Sequence, residues 1–235
     1  MTQKFVESKH RDLRGGAVRA AVFGVSDGLV TNLSLILGVA GANADPGIIR
    51  LAGLAGLVAG SFSMAAGEFV SMAAQKELWE RELSVERQSL VLDAPTEKRE
   101  LVSIYMSRGL SQETAESVSD ELMKNPELAL ATHAREELGI DPQALGSPNA
   151  AAASSLAAFG IGAVIPLAPW FIASGTAAIM TSLILAGLSS LFVGGLIGIS
   201  TGRQPWLSAL RQLVVGAFAG AVTYGIGALL GVKVS

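Results

Sequence analysis

Long runs of apolar residues, separated by short polar connections and by one polar stretch of 74 residues, dominate the chain. A helix needs about 20 predominantly apolar residues to cross the roughly 30 Å of hydrocarbon in a bilayer. Five runs reach that length, so the pattern predicts five transmembrane helices. The runs cover approximately residues 18–41, 49–74, 151–172, 176–200 and 209–231.

The polar stretch, residues 75–148, is patterned as helix. No proline interrupts the sequence between Ile49 and Leu92, which predicts that the second helix continues beyond the bilayer, for about 65 Å in all. Capping residues then predict three shorter helices. They cover 96–108 with Thr96 as N-cap, 111–124 with Ser111 as N-cap, and 126–138 opened by Pro126 and closed by Gly139.

The composition agrees with a membrane protein. Half of the residues are hydrophobic, 16% are charged and the mean hydropathy is +0.48, values outside those of ordinary soluble domains. The sequence therefore predicts an all-α integral membrane protein with five transmembrane helices and a helical domain inserted between helices 2 and 3. The expected division is 1–74 for the N-terminal segment and helices 1 and 2, 75–148 for the inserted domain, and 149–235 for helices 3 to 5.

Glycine is abundant within the apolar runs. Pairs of glycines four residues apart allow the backbones of neighbouring membrane helices to approach closely. Four such pairs predict close helix contacts: Gly24 and Gly28, Gly56 and Gly60, Gly194 and Gly198, and Gly216 and Gly220.

Charge is distributed unevenly. Residues 75–148 hold 15 of the 20 acidic and 8 of the 17 basic residues, so this segment carries a net charge of −7 and the remainder +4. Basic residues near membrane helices mark the cytoplasmic side. Lys4, Lys9, Arg11, Arg14, Arg19, Arg203 and Arg211 lie on one side, against Arg50 and Lys233 on the other. We therefore expect the N-terminus and the inserted domain in the cytoplasm and the C-terminus outside. The absence of a targeting extension favours a bacterial plasma membrane.

Asp27 and Glu68 place carboxylates inside two predicted spans. An unpaired charge at that depth costs at least a few kcal/mol, and the structural alternative is a protonated or hydrogen-bonded Asp27. Neither carboxylate is expected to have a basic partner, because no Lys, Arg or His occurs in the middle of any span. Two such carboxylates favour a cation, which can be a proton, a metal ion or each in turn. Met64 lies one helical turn before Glu68, and a thioether there favours a borderline-soft transition metal such as Fe²⁺ or Mn²⁺.

The first apolar run also resembles a secretory signal followed by the cleavage-site pattern "ANA" at 42–44. The run is too long for the apolar core of a signal peptide, and it carries Asp27 near its centre. We therefore interpret it as a transmembrane helix.

The polar stretch carries acidic residues at helical spacing. The absence of cysteine leaves oxygen, imidazole and thioether as side-chain metal ligands. Three helices that each present a carboxylate pair, or a carboxylate with a histidine, can converge into an oxygen-rich metal cluster. The alternative is a set of solvated helix faces, and spacing alone does not show that the pairs face one another. The candidates are Glu82 and Glu86, Glu97 and Glu100, and His133 with Glu136 or Glu137.

Three segments together resemble the vacuolar iron transporter (VIT) family, in a bacterial version. They are "FGVSDGLVTNLSLILGVAGA" in the first run, "GSFSMAAGEFVSMAAQKE" leading into "ERELSVER" in the second, and "HAREELGIDP" before the third. The resemblance implies a homodimer of five-span subunits that moves Fe²⁺, and often Mn²⁺, out of the cytosol in exchange for protons. It also implies a path lined by the first spans and a cytoplasmic helical metal-binding domain.

The resemblance assigns roles to particular residues. Asp27 and Met64 match the family's intramembrane metal positions, and Glu68 belongs to the neighbouring "GEF" signature. The carboxylates matching the cytoplasmic metal-binding residues are Glu86, Glu97, Glu100 and Glu137. Ser89 stands where the family commonly has glutamate, which is expected to weaken the cytoplasmic sites unless Glu82 compensates. His133 stands where some members have methionine, which keeps a ligand and can shift the metal preference.

Other classes of function have less support. A metal-sensing protein anchored in the membrane would bind metal without transport, but it has no need of carboxylates at membrane depth. An intramembrane aspartyl protease needs a second aspartate inside a span, and a di-iron oxidase needs paired Glu-x-x-His motifs, whereas residues 75–148 contain one histidine. No basic patch with aromatics indicates nucleic-acid binding. We therefore expect no enzymatic activity, no prosthetic group and no nucleic-acid partner. The expected partners are divalent metal ions, protons, the lipid bilayer and a second copy of the chain.

Overall fold

The computed structural model describes residues 16–231 of the chain. The basic residues Lys4, Lys9, Arg11, Arg14 and Lys233, used above to predict orientation, lie outside the described residues. Within 16–231 eight α-helices follow one another, with a short 3₁₀ helix (Ala168–Phe171) after the sixth. They are α1 (Gly16–Gly41), α2 (Pro46–Leu92), α3 (Ala94–Ser107), α4 (Gln112–Met123), α5 (Pro126–Glu136), α6 (Pro148–Leu167), α7 (Gly175–Ser200) and α8 (Pro205–Gly231).

Five of these helices are long and apolar enough to cross a membrane: α1, α2, α6 with its 3₁₀ extension, α7 and α8. The five apolar runs predicted to span the membrane therefore all lie in helices of sufficient length. α2 has 47 residues, which corresponds to about 70 Å, more than twice the thickness of the hydrocarbon. The first part of α2 is apolar, and the charged last part exceeds the length that a membrane crossing needs.

The chain divides into two compact units. One contains the described residues up to Val70 together with those from Ser147 onwards, and the other is Ser71–Gly146. The division falls inside α2, one turn before the apolar run gives way to charged residues. The first unit, with most of the apolar helices, is called the membrane unit below, and the second is called the polar unit.

In the membrane unit, α1 packs against α6, α7 and α8. Glycine allows the closest approach between α1 and α6, because a Cβ atom on Gly28 would lie 2.2 Å from the carbonyl oxygen of Phe159. In the opposite direction, a Cβ on Gly162 would lie 2.3 Å from the carbonyl oxygen of Val25. A Cβ on Gly194 of α7 would similarly lie 2.7 Å from the Cα atom of Ala209 on α8. The predicted close contacts at the pairs containing Gly28 and Gly194 are confirmed.

Two buried polar side chains donate to backbone carbonyls near the end of α6. Pro166 lacks an N–H and interrupts the hydrogen-bond pattern of the helix. Ser182 donates to its carbonyl oxygen at 2.7 Å, and Nδ2 of the fully buried Asn32 donates to the carbonyl oxygen of Ala163, also at 2.7 Å. Asn32 therefore joins α1 to α6.

The polar unit is built from the last part of α2 and from α3, α4 and α5. Ser111 caps α4 as predicted, and its hydroxyl accepts a hydrogen bond from the N–H of Thr114. The predicted Thr96 cap is wrong, because α3 begins at Ala94 and the side chain of Asp93 caps it. Thr96 instead donates its N–H and its hydroxyl to Asp93, at 3.2 and 2.7 Å.

The third short helix, α5, begins at Pro126 as predicted, with the side chain of Asn125 as its cap. It ends at Glu136, two residues before the predicted end, and Gly139 follows with a φ angle of +67°. Leu83 of α2 packs with Leu130 and Ala134 of α5 in a buried apolar cluster. This packing places one face of α5 against α2.

Candidate metal centre

Four side chains from three helices meet within the polar unit. One ligand atom from each of Glu86, Glu97, His133 and Glu137 lies within 4.8 Å of the others. Glu86 comes from α2 and Glu97 from the first turn of α3. His133 lies in the last turn of α5, and Glu137 follows one turn later as its C-cap. Three carboxylates and one imidazole therefore point into one small volume.

The imidazole of His133 faces all three carboxylates. Its Nδ1 atom lies 3.3 Å from Oε1 of Glu86, 3.8 Å from Oε2 of Glu97 and 3.9 Å from Oε2 of Glu137. The histidine side chain is fully buried, and those of Glu86 and Glu97 are 9% and 11% exposed. Glu137 is 39% exposed, so it forms the open side of the cluster.

Burial and mutual repulsion control the protonation of the cluster. Burial, followed by repulsion from Glu137, Glu97 and Glu100, raises the pKa of Glu86 to about 7. Burial, followed by repulsion from Glu100, also raises the pKa of Glu97. Burial lowers the pKa of His133 against the attraction of Glu137 and Glu100. The imidazole is then neutral near pH 7, so its short contacts are not ion pairs, and a ring nitrogen can act as a metal ligand.

Three buried polar atoms of this cluster have no hydrogen-bond partner among the described residues: Oε1 of Glu86 and both ring nitrogens of His133. A buried polar group without a partner costs about 1–3 kcal/mol. A divalent ion held by Nδ1 and the carboxylate oxygens would satisfy two of these atoms and relieve the repulsion between the carboxylates. Imidazole with carboxylates is a ligand set that Fe²⁺ and Mn²⁺ accept. The residues present therefore fit a divalent transition metal.

Other residues named from the sequence lie outside this group of four. Glu100 is exposed on α3, where it acts on the cluster through its charge. Glu82 and Ser89 lie on α2, about one turn to either side of Glu86, and both are partly buried. Glu136 forms an ion pair with Arg108. Of the two glutamates considered beside His133, the structure therefore brings Glu137 to the cluster.

In the membrane unit, Asp27 is exposed on α1. Its Oδ1 atom accepts a hydrogen bond from the hydroxyl of Thr31, one turn later, at 3.0 Å. Phe23, Asp27, Thr31 and Leu35 are all exposed and follow one another at intervals of four residues. Together they form a stripe along one face of α1, which we call the Asp27 stripe.

Glu68 has a basic partner, so the expectation that it has none is wrong. Nη2 of Arg19 lies 2.9 Å from Oε1 of Glu68 and donates a hydrogen bond to it. The side chain of Glu68 is 18% exposed and that of Arg19 is 56% exposed. The arginine comes from the first turn of α1, and its long side chain reaches the carboxylate from the end of the span.

The positions along α1 and α2 explain this pair. Arg19 lies 22 residues before the last residue of α1, and Glu68 lies 22 residues after the first residue of α2. A short connection joins the two antiparallel helices, so equal counts bring the two residues to the same level. By the same count, Asp27 lies eight residues, or about 12 Å, from the level of Glu68, with Met64 between them. The three residues thus occupy successive levels along the hairpin.

Comparison with known proteins identifies the family. The VIT family model matches residues 18–228, nearly the whole chain. This chain belongs to the VIT family. The resemblance stated from the sequence is confirmed, whereas the bacterial version stays a prediction.

Several relatives of this VIT-family chain carry names. It is 33% identical over 216 residues to vacuolar iron transporter 1 of Oryza sativa subsp. japonica, covering 90% of this chain and 84% of the relative. It is 36% identical over 231 residues to the vacuolar iron transporter of Acanthamoeba castellanii, covering 94% and 82%. It is 30% identical over 211 residues to vacuolar iron transporter 1 of Arabidopsis thaliana, covering 89% and 84%.

Sequence reasoning on this VIT-family chain misses the role of Arg19. The arginine was counted among the basic residues that flank the membrane, and its pairing with Glu68 depends on the fold. The signal was present in the equal spacing of the two residues from the turn between α1 and α2. In two antiparallel helices joined by a short turn, residues equally far from the turn lie at the same level and can pair.

Proposed function

We propose that this protein transports Fe²⁺ or Mn²⁺, or both, across a membrane and exports the ion from the cytosol in exchange for protons. Membership of the VIT family and relatives named vacuolar iron transporters support the transport of metal. The observation that carries the proposal is the buried His133, whose unpartnered imidazole faces three glutamates. Buried polar atoms without partners destabilise a fold. The stability of the polar unit therefore does not explain this cluster, whereas the binding of a metal ion does.

In this proposal the polar unit captures metal on the cytoplasmic side. Glu86, Glu97, His133 and Glu137 act as ligands, and Glu100 adds charge that attracts the ion. The proposed domain is the segment 75–148, with its net charge of −7. The N-terminus then lies in the cytoplasm and the C-terminus outside, and the expected location is a bacterial plasma membrane.

Asp27, Met64 and Glu68 are the proposed path within the membrane. Their spacing of about 6 Å between successive levels favours transfer of the ion from one ligand to the next rather than one shared coordination sphere. The ion must first compete with Arg19 for the carboxylate of Glu68. Arg19 therefore acts as a tethered cation that neutralises Glu68 when no metal ion is bound.

A homodimer would complete the path. The Asp27 stripe is exposed in one copy of the chain, yet a carboxylate facing hydrocarbon costs at least a few kcal/mol. A second copy that packs against this stripe would shield Asp27 from lipid and add its own ligands. We therefore propose that two copies form the conducting unit.

Protons provide the exchange in this mechanism. A carboxylate that binds a proton loses its negative charge and with it most of its attraction for a metal ion. Protons that enter from outside would neutralise Asp27 and release the ion, and their loss to the cytosol would restore the ligand. The result is the movement of metal outwards against protons inwards.

The proposal is tested by measuring Mn²⁺ flux and Mn²⁺ binding on two variants of the full chain. Asp27→Ala should abolish flux while Mn²⁺ binding by the solubilised protein is retained. The double variant Glu97→Gln with Glu100→Gln should bind Mn²⁺ more weakly and still carry it at high concentration. Equal loss of flux in both variants would contradict this division of roles. Binding without flux in the unmodified protein would favour a membrane-anchored metal-binding or sensing protein.

A further inference from the structure

A cavity of about 440 Å³ opens at the turn between α7 and α8 in the membrane unit. It shares no residue with the Asp27 stripe or with the metal cluster, and no step of the proposed transport uses it. Its lining residues are Gly202, Arg203, Gln204, Leu207, Ser208 and Arg211. The cavity therefore combines two positive charges with polar and apolar groups.

Within residues 16–231, the two arginines of this cavity have no acidic partner. Arg203 and Arg211 are both exposed, and neither forms an ion pair with any residue between 16 and 231. Arg211 lies six residues into α8, about 9 Å along the helix from its first residue. A guanidinium near the end of a membrane helix is stabilised by an anion in its surroundings.

Ser208 adds a hydroxyl to this cavity. It is 6% exposed, and it lines the cavity. Its hydroxyl has no hydrogen-bond partner in the part of the chain that the structure describes, although its backbone N–H donates to the carbonyl oxygen of Gln204. A hydroxyl that lines a cavity beside two arginines can donate a hydrogen bond to an oxyanion. The first turn of α8 adds the positive end of the helix dipole.

We propose that this cavity binds the phosphate of an anionic phospholipid. α8 has 27 residues, or about 40 Å, roughly 10 Å more than the hydrocarbon requires, which brings its first turns to the level of the headgroups. Trp206 is 62% exposed and Leu207 is 47% exposed beside the arginines. An exposed tryptophan is typical of the membrane interface, and these apolar side chains can contact the acyl chains of the same lipid. This arrangement favours a lipid phosphate over a free phosphate ion.

The test measures lipid binding to the purified full chain in an uncharged detergent by native mass spectrometry. The probes are dioleoyl phosphatidylglycerol, dioleoyl phosphatidylcholine and inorganic phosphate. We expect one phosphatidylglycerol per chain to bind more tightly than phosphatidylcholine. Arg203→Gln with Arg211→Gln should weaken phosphatidylglycerol binding about 25-fold, from about fivefold per arginine near a membrane surface. Arg50→Gln, a basic residue at the start of α2, is the matched control and should leave binding unchanged.

Two results would overturn the proposal: unchanged phosphatidylglycerol binding in the double variant, or inorganic phosphate binding as tightly as the lipid. Thermal unfolding without anionic lipid shows whether the double variant is folded. If it is not, Ser208→Ala decides the question, because it keeps both arginines and removes one hydrogen bond. We expect about fivefold weaker phosphatidylglycerol binding from that change, and unchanged binding would contradict the proposal. These measurements are independent of metal transport.

Discussion

Replacing Glu86 by glutamine is expected to stabilise the metal-free protein and to weaken its metal binding. The pKa of Glu86 is raised from 4.5 to about 7, first by burial and then by repulsion from Glu137, Glu97 and Glu100. A raised pKa means that the ionised carboxylate is less favourable in the folded than in the unfolded protein. The contribution of neutral Glu86 to the free energy of unfolding is therefore fully present below pH 4.5 and is lost as the pH rises through about 7. The full difference is on the order of 3 kcal/mol.

The assay is unfolding of the full chain in detergent with a chelator, at pH 5 and at pH 8. Relative to Glu86→Gln, the unmodified protein should lose about 2–3 kcal/mol of stability between these two pH values. Glu77→Gln, an exposed position on the same helix, is the matched control and should follow the unmodified protein. Mn²⁺ should remove the difference by favouring the ionised carboxylate, and Mn²⁺ affinity should rise with pH through about 7.

Three outcomes would refute this reasoning. If Glu86→Gln and the unmodified protein lose stability in parallel between pH 5 and pH 8, burial and repulsion do not act on Glu86 as described. If Glu86→Gln binds Mn²⁺ as tightly as the unmodified protein at pH 8, Glu86 is not a ligand. A loss of stability in the variant at pH 8 without metal would contradict the expected sign.

Two further predictions concern the membrane unit. Arg19→Gln removes the cation that pairs with Glu68, so half-maximal Mn²⁺ flux should be reached at up to about fivefold lower Mn²⁺ concentration, the range for a partly exposed ion pair. Arg50→Gln is the control and should leave this concentration unchanged. A higher Mn²⁺ concentration for half-maximal flux after Arg19→Gln would contradict competition between the arginine and the metal. Gly28→Ala places a methyl group against the backbone of α6 and should destabilise the protein by about 1–3 kcal/mol, seen as a lower unfolding temperature in detergent. Gly195→Ala, where a Cβ meets no atom within 4 Å, is its control, and similar losses in both would show that the close approach is not limiting.

Much of the fold could be predicted because membrane helices have a strong local signal. The five spans follow from the length of the apolar runs, and Ser111 and Pro126 mark helix starts by their own chemistry. The α3 cap was misplaced because Asp93 and Thr96 can both cap a helix, and the sequence does not show which one is outside it. Their hydrogen bonds to each other decide the matter in favour of Asp93.

The candidate site could be predicted as a set of residues but not as an arrangement. Helical spacing places Glu97 and Glu100 on one face of α3 and leaves open which of them turns inwards. Tertiary packing decides this, because it buries Glu97 beside His133 and leaves Glu100 exposed. Glu136 and Glu137 were equivalent in the sequence, and the ion pair of Glu136 with Arg108 separates them. Such choices depend on contacts between residues far apart in the chain, which local pattern does not contain.

The most direct test of the central claim is Mn²⁺ uptake into proteoliposomes, measured together with the pH of the lumen. Protein oriented with the polar unit outside should carry Mn²⁺ inwards while protons leave the lumen, and an acidic lumen should accelerate the exchange. Asp27→Asn, which keeps the shape of the side chain and removes its charge, should abolish both fluxes. Mn²⁺ uptake without a proton flux, or equal uptake by Asp27→Asn, would contradict proton-coupled transport through this carboxylate.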